Sequence, residues 1–526
     1  QPATLTLVKR VDNGTTGGTG VPANWTLSAT GPITVTGPGN SAAVTNQTVP
    51  AGSYTLLESG GLPGYTASSW TCTGGALVAG AVTVPNGGNV TCTITNTAVA
   101  PILTLRKEVV NANGGTAVPT DWTLTGAGPV TITGATGSIP VTGATVPAGN
   151  YTLSEAGGPT GYTASSWNCG TALVNGSTVT VPLGQNITCT IVNTDQPASL
   201  TLVKVVDNGT TGATATPANW TLTASGTTTV TGPGNSPSVT EQTVPAGSYA
   251  LSESGGPAGY TASAWTCAGG TLAGASVTVP NGGNVTCTIT NTAVQPTLTL
   301  VKVVDNGDTG ATTAATAWTL SAAGPGTISG ATGSPAVTTA AVPIGTFNLS
   351  ETGPAGYTAS EWVCTGADGS TATSVTLGLA DAATCTITNT AIPPTLTLEK
   401  GVVNDNGGTA APTEWTLTGT GPQTITGTTG SPAVTGATVR VGDYTLSEAG
   451  GPTGYTASDW SCVGADLAGS TVTVPLGANA TCTIVNNDQP AQLSLVKVVE
   501  NGTTGATAAP ANWTLTASGT TTVTGP

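Results

Sequence analysis

All six lysines of this 526-residue chain occupy one position of a repeat: Lys9, Lys107, Lys204, Lys302, Lys400 and Lys497 stand 98, 97, 98, 98 and 97 residues apart. A period of that length confines the chain to a series of like modules, each long enough to bury a core of its own. A longer period lies over the first. Lys9 to Lys302, Lys107 to Lys400 and Lys204 to Lys497 are each 293 residues apart, and the stretch Tyr151–Tyr162 recurs at Tyr444–Tyr455. The array reads as a duplicated unit of three modules. Short proline-marked joints, such as Asp195-Gln196-Pro197 and Ile392-Pro393-Pro394, bound the modules at 1–99, 100–195, 196–294, 295–392 and 393–488, with 489–526 the start of a sixth. Joints this short and stiff predict an extended rod in which each module has its neighbours as partners.

Within a module, short runs of Val, Thr, Ile, Leu and Tyr alternate polar with apolar, and Gly, Pro or Asn turns punctuate them every 8 to 12 residues. No helical periodicity of useful length interrupts the pattern. The fold class predicted is all-β, a tandem array of Ig-like antiparallel β-sandwiches of about seven strands. In the first module the strands fall near 4–11, 24–30, 32–37, 43–49, 53–58, 66–72, 81–84 and 90–96.

Composition narrows the function. Charged residues are only 6% of the chain, the net charge is −15, and no basic patch exists. Nucleic acid and anionic membrane surfaces, which both need clustered Lys or Arg, are poor partners for such a surface. Histidine is absent, which removes imidazole catalysis and His-ligated metal sites from this chain. No transmembrane run is visible. Turns such as Asp12-Asn13-Gly14 and Asn404-Asp405-Asn406-Gly407 resemble fragments of calcium loops but lack the spaced carboxylates and closing Glu. Hairpin turns account for them, with calcium as the alternative and no other cofactor expected.

Ten cysteines fall in pairs, two per complete module: Cys72/Cys92, Cys169/Cys189, Cys267/Cys287, Cys364/Cys385 and Cys462/Cys482. The constant gap reads as one intra-module disulfide and an extracellular setting, with buried free thiols as the alternative. Trp25 shares parity with Leu27 and Trp70 with Cys72, which assigns the tryptophans to the core, with a ligand platform as the alternative. Threonine rows such as Thr91/Thr93/Thr95 fit a solvent-facing strand surface.

Strand parity then gathers three polar residues on inward faces. Leu5, Leu7 and Lys9 share one face, Tyr54, Leu56 and Glu58 another, and Cys92, Ile94 and Asn96 a third. The trio recurs as Lys107/Glu155/Asn193, Lys204/Glu253/Asn291, Lys302/Glu351/Asn389 and Lys400/Glu448/Asn486. Burial favours the neutral form of both lysine and glutamate, and a neutral amine is a nucleophile. A protonated Glu beside it can polarise the Asn amide and move protons, so that a Lys–Asn isopeptide forms with loss of ammonia. A buried Lys–Glu ion pair with no covalent bond is one competing reading, and a strand register that leaves the lysines exposed is the other.

The motifs Leu5-Thr6-Leu7-Val8-Lys9, Val49-Pro50-Ala51-Gly52-Ser53-Tyr54-Thr55-Leu56-Leu57-Glu58, Pro63-Gly64-Tyr65 and Thr95-Asn96-Thr97 together resemble CnaB-type domains, which are prealbumin-like and related to SpaA-type pilins. The resemblance covers every module. It implies a transthyretin-like sandwich, isopeptide roles for the Lys and Asn of each trio, and a catalytic role for its Glu. It also implies surface stalks or pilus shafts, so other copies in a filament are candidate partners. The expectation is therefore a structural stalk or filament protein of a bacterial cell surface. A ligand-binding adhesin that uses these modules directly is the alternative. Enzymatic turnover is not expected.

Overall fold

A computed structural model describes residues 1–526, and the chain packs as two compact units. One comprises Gln1–Asp207, Ala215–Pro257 and Ala262–Thr292; the other comprises Asn208–Thr214, Ala258–Thr261 and Ala293–Pro526. Every element longer than a single 3-10 turn is a strand. No helix is long and apolar enough to cross a membrane.

The first module sets the pattern. Its strands are β1 (Ala3–Asp12), β2 (Trp25–Thr30), β3 (Thr34–Pro38), β4 (Gln47–Val49), β5 (Gly52–Gly60), β6 (Tyr65–Ala67), β7 (Thr71–Thr73), β8 (Ala76–Val78), β9 (Ala81–Val84) and β10 (Asn89–Ala98). One sheet runs β4-β1-β10-β6, with β7 also on β10; the other runs β3-β2-β5-β9-β8. Leu5, Leu7, Leu27, Tyr54, Leu56, Val82, Cys92 and Ile94 fill the space between them. Pairing is antiparallel except at one place: β1 and β10 run parallel, with Leu7 opposite Cys92, Lys9 opposite Ile94 and Val11 opposite Asn96. The chain thus enters and leaves the module on two adjacent strands.

Two expected strands are broken by their own sequences. The stretch 43–49 opens as a 3-10 turn at Ala42–Val44 before β4. The stretch 66–72 divides into β6 and β7, because the chain turns at Ser68, whose N–H donates to Thr95 C=O at 2.8 Å. The Ser68 hydroxyl in turn accepts the Thr95 N–H at 3.1 Å, so the serine completes the ladder across the gap. Module two departs further. Gly74 has φ +78 and a Cβ there would lie 2.0 Å from Asn89 C=O, yet Thr171 stands at the corresponding place. The strand equivalent to β7 shrinks to one bridge, Asn168 to Thr190, and Leu173 is left 78% exposed beside a groove of about 600 Å³.

Within each unit, neighbouring modules meet through backbone hydrogen bonds. Ala148 N–H donates to Thr16 C=O at 2.7 Å and Gly184 N–H to Val99 C=O at 2.8 Å, joining modules one and two. Modules two and three repeat the first contact as Ala246 to Asn113 at 2.7 Å, and modules four and five as Val441 to Thr309 at 2.9 Å. In the sixth segment a 3-10 turn, Pro510–Asn512, precedes a hairpin of Leu515–Ser518 with Thr522–Gly525. Leu493, Val496 and Val498 are exposed there.

Candidate functional site

The inward face of β1 carries its alternation one residue past the leucines, and so delivers Lys9 to the end of the core with 1% of its surface exposed. Lys107, Lys204, Lys302 and Lys400 are buried in the same way. Across the sandwich, β5 continues Tyr54 and Leu56 with Glu58, whose side chain is 10% exposed. Lysine and glutamate therefore meet from opposite sheets. Nζ to carboxylate distances are 2.7 Å for Lys9–Glu58, 2.5 Å for Lys107–Glu155, 2.8 Å for Lys204–Glu253, 2.7 Å for Lys302–Glu351 and 2.5 Å for Lys400–Glu448. In modules two, three and five the pair is aligned as a hydrogen bond; in modules one and four it is close without that alignment. Burial holds all five lysines below their ordinary pKa, against the opposing pull of the glutamate each one touches.

The third member arrives on β10. Asn96 lies one inward position beyond Ile94, so the parallel register sets it diagonally ahead of Lys9, within the reach of a long side chain leaning along the strand. Asn96, Asn193, Asn291, Asn389 and Asn486 are all buried, and in every one the side-chain carbonyl oxygen lacks a hydrogen-bond partner. An amide oxygen left bare in a core is costly, on the order of 1–3 kcal/mol, and five instances in register are a built feature. In module five the carboxyl group spans the other two: Glu448 Oε2 accepts from Lys400 Nζ at 2.5 Å, and Oε1 accepts from Asn486 Nδ2 at 2.9 Å.

The first tryptophan of each complete module is buried, and the second is buried or half-buried against the core; sequence parity misses what the first does there. The Trp25 ring lies 4.8 Å from Lys9 Nζ, and Trp122, Trp220, Trp318 and Trp415 repeat the contact at 4.7 to 5.1 Å. Tyr65 meets Trp25 edge-on at 5.1 Å, donates to Asn13 Oδ1 at 2.5 Å and accepts from Gly20 N–H at 2.7 Å. The ring packs over the lysine amine, and the tyrosine packs against the ring. A Trp always 15 or 16 residues after the lysine is the signal that was available.

Disulfides join Cys72–Cys92, Cys169–Cys189, Cys267–Cys287, Cys364–Cys385 and Cys462–Cys482. In module one the bond ties β7 to β10, four residues before Asn96. The row Thr91/Thr93/Thr95 on the opposite face of β10 is half-buried.

The turns resembling calcium loops spend their oxygens internally. Asp12 Oδ1 accepts from Gly14 N–H at 3.0 Å, and Asp405 Oδ1 from Asn406 Nδ2 at 2.7 Å. In modules two and five the turn wraps a carboxylate that sequence reasoning passed over. Asp195 accepts from the N–H groups of Ala112, Asn113 and Gly115 at 2.9, 2.6 and 2.9 Å. Asp488 accepts likewise from Asp405, Asn406 and Gly408. Both aspartates are buried, and both are held below the ordinary carboxylate pKa: burial alone would raise it, and the converging amides outweigh burial. The only trace in the sequence is one Asp where Ala98, Ala293 and Ala391 stand in the other modules.

The profile of the prealbumin-like fold domain matches residues 1–94, 99–191, 195–289, 294–387, 392–484 and 488–526. No curated protein sequence matches the chain. Among solved structures, the chain is similar to the Bacillus anthracis TIE protein, at 14% identity and TM-score 0.36 over 84% of this chain and 71% of that one. It is also similar to two B repeat units of the Staphylococcus aureus collagen binding protein, at 14% identity and TM-score 0.19 over 74% and 100%. The pilus adhesin SpaC of Lactobacillus rhamnosus GG follows at 12% identity and TM-score 0.21 over 89% and 57%. With the matched segments spanning nearly every residue, this chain belongs to the prealbumin-like fold domain family as a tandem array of its modules.

Proposed function

We propose that the chain is an extracellular structural stalk of a bacterial cell surface, in which each complete module cross-links itself once between its lysine and its asparagine. The observation that carries this reading is Glu448, which touches both the attacking amine of Lys400 and the amide nitrogen of Asn486. Making the bond requires one net proton movement, from the lysine nitrogen to the departing nitrogen, and Glu448 contacts both. Burial lowers the lysine pKa and makes the neutral amine accessible. Nζ then attacks Cγ of the asparagine and gives up a proton to the glutamate, the Cγ–Nδ2 bond breaks, and the glutamate passes a proton on to Nδ2, which leaves as ammonia. The burial of the lysine side chain beneath the Trp ring limits the access of water to the activated amide.

The role as a stalk follows from where the bond would lie. Tension entering at Ala3 travels down β1 to Lys9, crosses to Asn96 and leaves at Ala98, so the remaining eight strands of the module lie off the load path. The disulfides fit an oxidising surface environment, and the resemblance to pilus and adhesin domains fits a surface array. Intact mass of the chain tests the reading. A deficit of five ammonias relative to the disulfide-bonded sequence is expected, and a chain at its full sequence mass would defeat it.

A further inference from the structure

On its outer side β1 loses its neighbour before it reaches the reactive lysine. β4 pairs only with Ala3–Leu5, four residues short of Lys9. The N–H and C=O of Lys9 face that open side, and one side chain takes both. Lys9 N–H donates to Asn40 Oδ1 at 2.7 Å, and Asn40 Nδ2 donates to Lys9 C=O at 2.8 Å. Asn40 has φ 59, a left-handed conformation that Asn adopts at less cost than other non-glycine residues. Next to it, a Cβ on Gly39 would lie 2.5 Å from Lys9 Cβ, so this turn runs directly over the root of the lysine stem.

Module three repeats the clamp: Lys204 N–H to Asn235 Oδ1 at 2.8 Å, and Asn235 Nδ2 to Lys204 C=O at 2.9 Å. The other modules carry a different turn, with threonine in this place. Its hydroxyl takes the N–H alone: Lys107 to Thr136 at 3.1 Å, Lys302 to Thr332 at 3.2 Å and Lys400 to Thr429 at 3.1 Å.

We propose that Asn40 and Asn235 are positioning residues for the lysine–asparagine cross-link, so that modules one and three close faster than modules two, four and five. This rests on the cross-linking function proposed above. The attack needs Nζ at bonding approach to Cγ of Asn96, and a misplacement of about 1 Å can cost a reaction a hundredfold. The position of β1 on β10 sets that approach. An amide that grips both backbone groups of the lysine holds the strand against sliding and twisting, whereas a hydroxyl on one N–H leaves the carbonyl side free to swing. The bonds made and broken are the same in every module; the clamp changes only how often the amine is in place.

The experiment follows the full chain as it is synthesised, quenching at intervals and measuring the Lys–Asn linked peptide and the disulfide peptide of each module by mass spectrometry. In the unsubstituted chain, modules one and three are expected to finish cross-linking first. Asn40→Gly keeps the left-handed backbone accessible and removes the amide alone. It should slow the Lys9–Asn96 bond about tenfold, while the Cys72–Cys92 bond forms at the parent rate and the other modules are unaffected. Asn235→Gly should do the same in module three. Asn40→Asp retains the acceptor for Lys9 N–H and loses the donor, and should fall between. Equal rates in all five modules of the parent overturn the proposal, as does an Asn40→Gly chain that closes at the parent rate. Disulfide formation slowed in step with the cross-link also overturns it, since that would mark a role in folding. A parent chain with no cross-link in any module overturns both this proposal and the function it rests on, and is told apart by five unlinked modules in place of altered rates.

Discussion

A chain with glutamine in place of Glu58 is expected to fold, form its five disulfides, and lose four ammonias where the parent loses five. Glutamine keeps the volume of the side chain but cannot relay the proton from Lys9 Nζ, which now lies 2.7 Å from the carboxylate. The lost bond would have closed the 87-residue span from Lys9 to Asn96. In the chain-entropy view such a closure is worth about 4–5 kcal/mol, so module one should become the first to unfold on heating. Under force the difference becomes a length. With the cross-link, a module pulled by its ends has only the few residues outside Lys9 and Asn96 to give. Without it, the disulfide still withholds its 20-residue loop, and the 67 residues left should extend by roughly 230 Å. Reducing the disulfide should release about 70 Å more. Single-molecule stretching of the parent and Glu58→Gln chains checks both steps. Identical unfolding lengths in the two chains would sink the load-bearing role of the bond.

Strand parity was enough to bring Lys9 and Asn96 inward, because side chains on an uninterrupted strand alternate faces without drift and neither β1 nor β10 contains a bulge. It was enough for Glu58 for the same reason. Parity cannot give direction: an alternating strand reads the same whether its neighbour runs parallel or antiparallel. The parallel pairing of β1 with β10, on which the proposed load path depends, was therefore not legible. Nor does parity say which inward residues of different strands will face each other. That is why Trp25 could be assigned to the core but not to the lysine. The turn Gly37-Pro38-Gly39-Asn40 reads as any hairpin loop, and its grip on Lys9 depends on β4 ending early, a property of another part of the module. Asp195 was hidden for a related reason: its partners are backbone amides some 80 residues away, and amides leave no mark in a sequence.

Replacing Asp195 with alanine is expected to loosen module two and its joint to module three together. The carboxylate collects three backbone N–H groups of one turn, and the same turn offers Asn113 C=O to Ala246 N–H of the next module. Without the carboxylate those amides have no acceptor in place, at a cost of about 3 kcal/mol for charge-assisted bonds to a buried group. Acid should reach the same state without mutation. The folded pKa of Asp195 is depressed, so its contribution is fully present above the carboxylate's unfolded value and is lost as pH falls through the lower folded value. Asp488 follows the same sign in module five. Modules one, three and four carry alanine at this position and have no such group to titrate, so acid should act selectively on the second and fifth modules. Hydrogen exchange corrected for its intrinsic pH dependence, read at Asn113 and Ala246 between pH 6 and roughly pH 2–3, resolves the effect. Protection should fall at both amides in the parent and be low at all pH values in Asp195→Ala, with Thr16 and Ala148 unchanged throughout. Equal loss of protection at the joint of modules one and two would mean that acid opens the array by some other group.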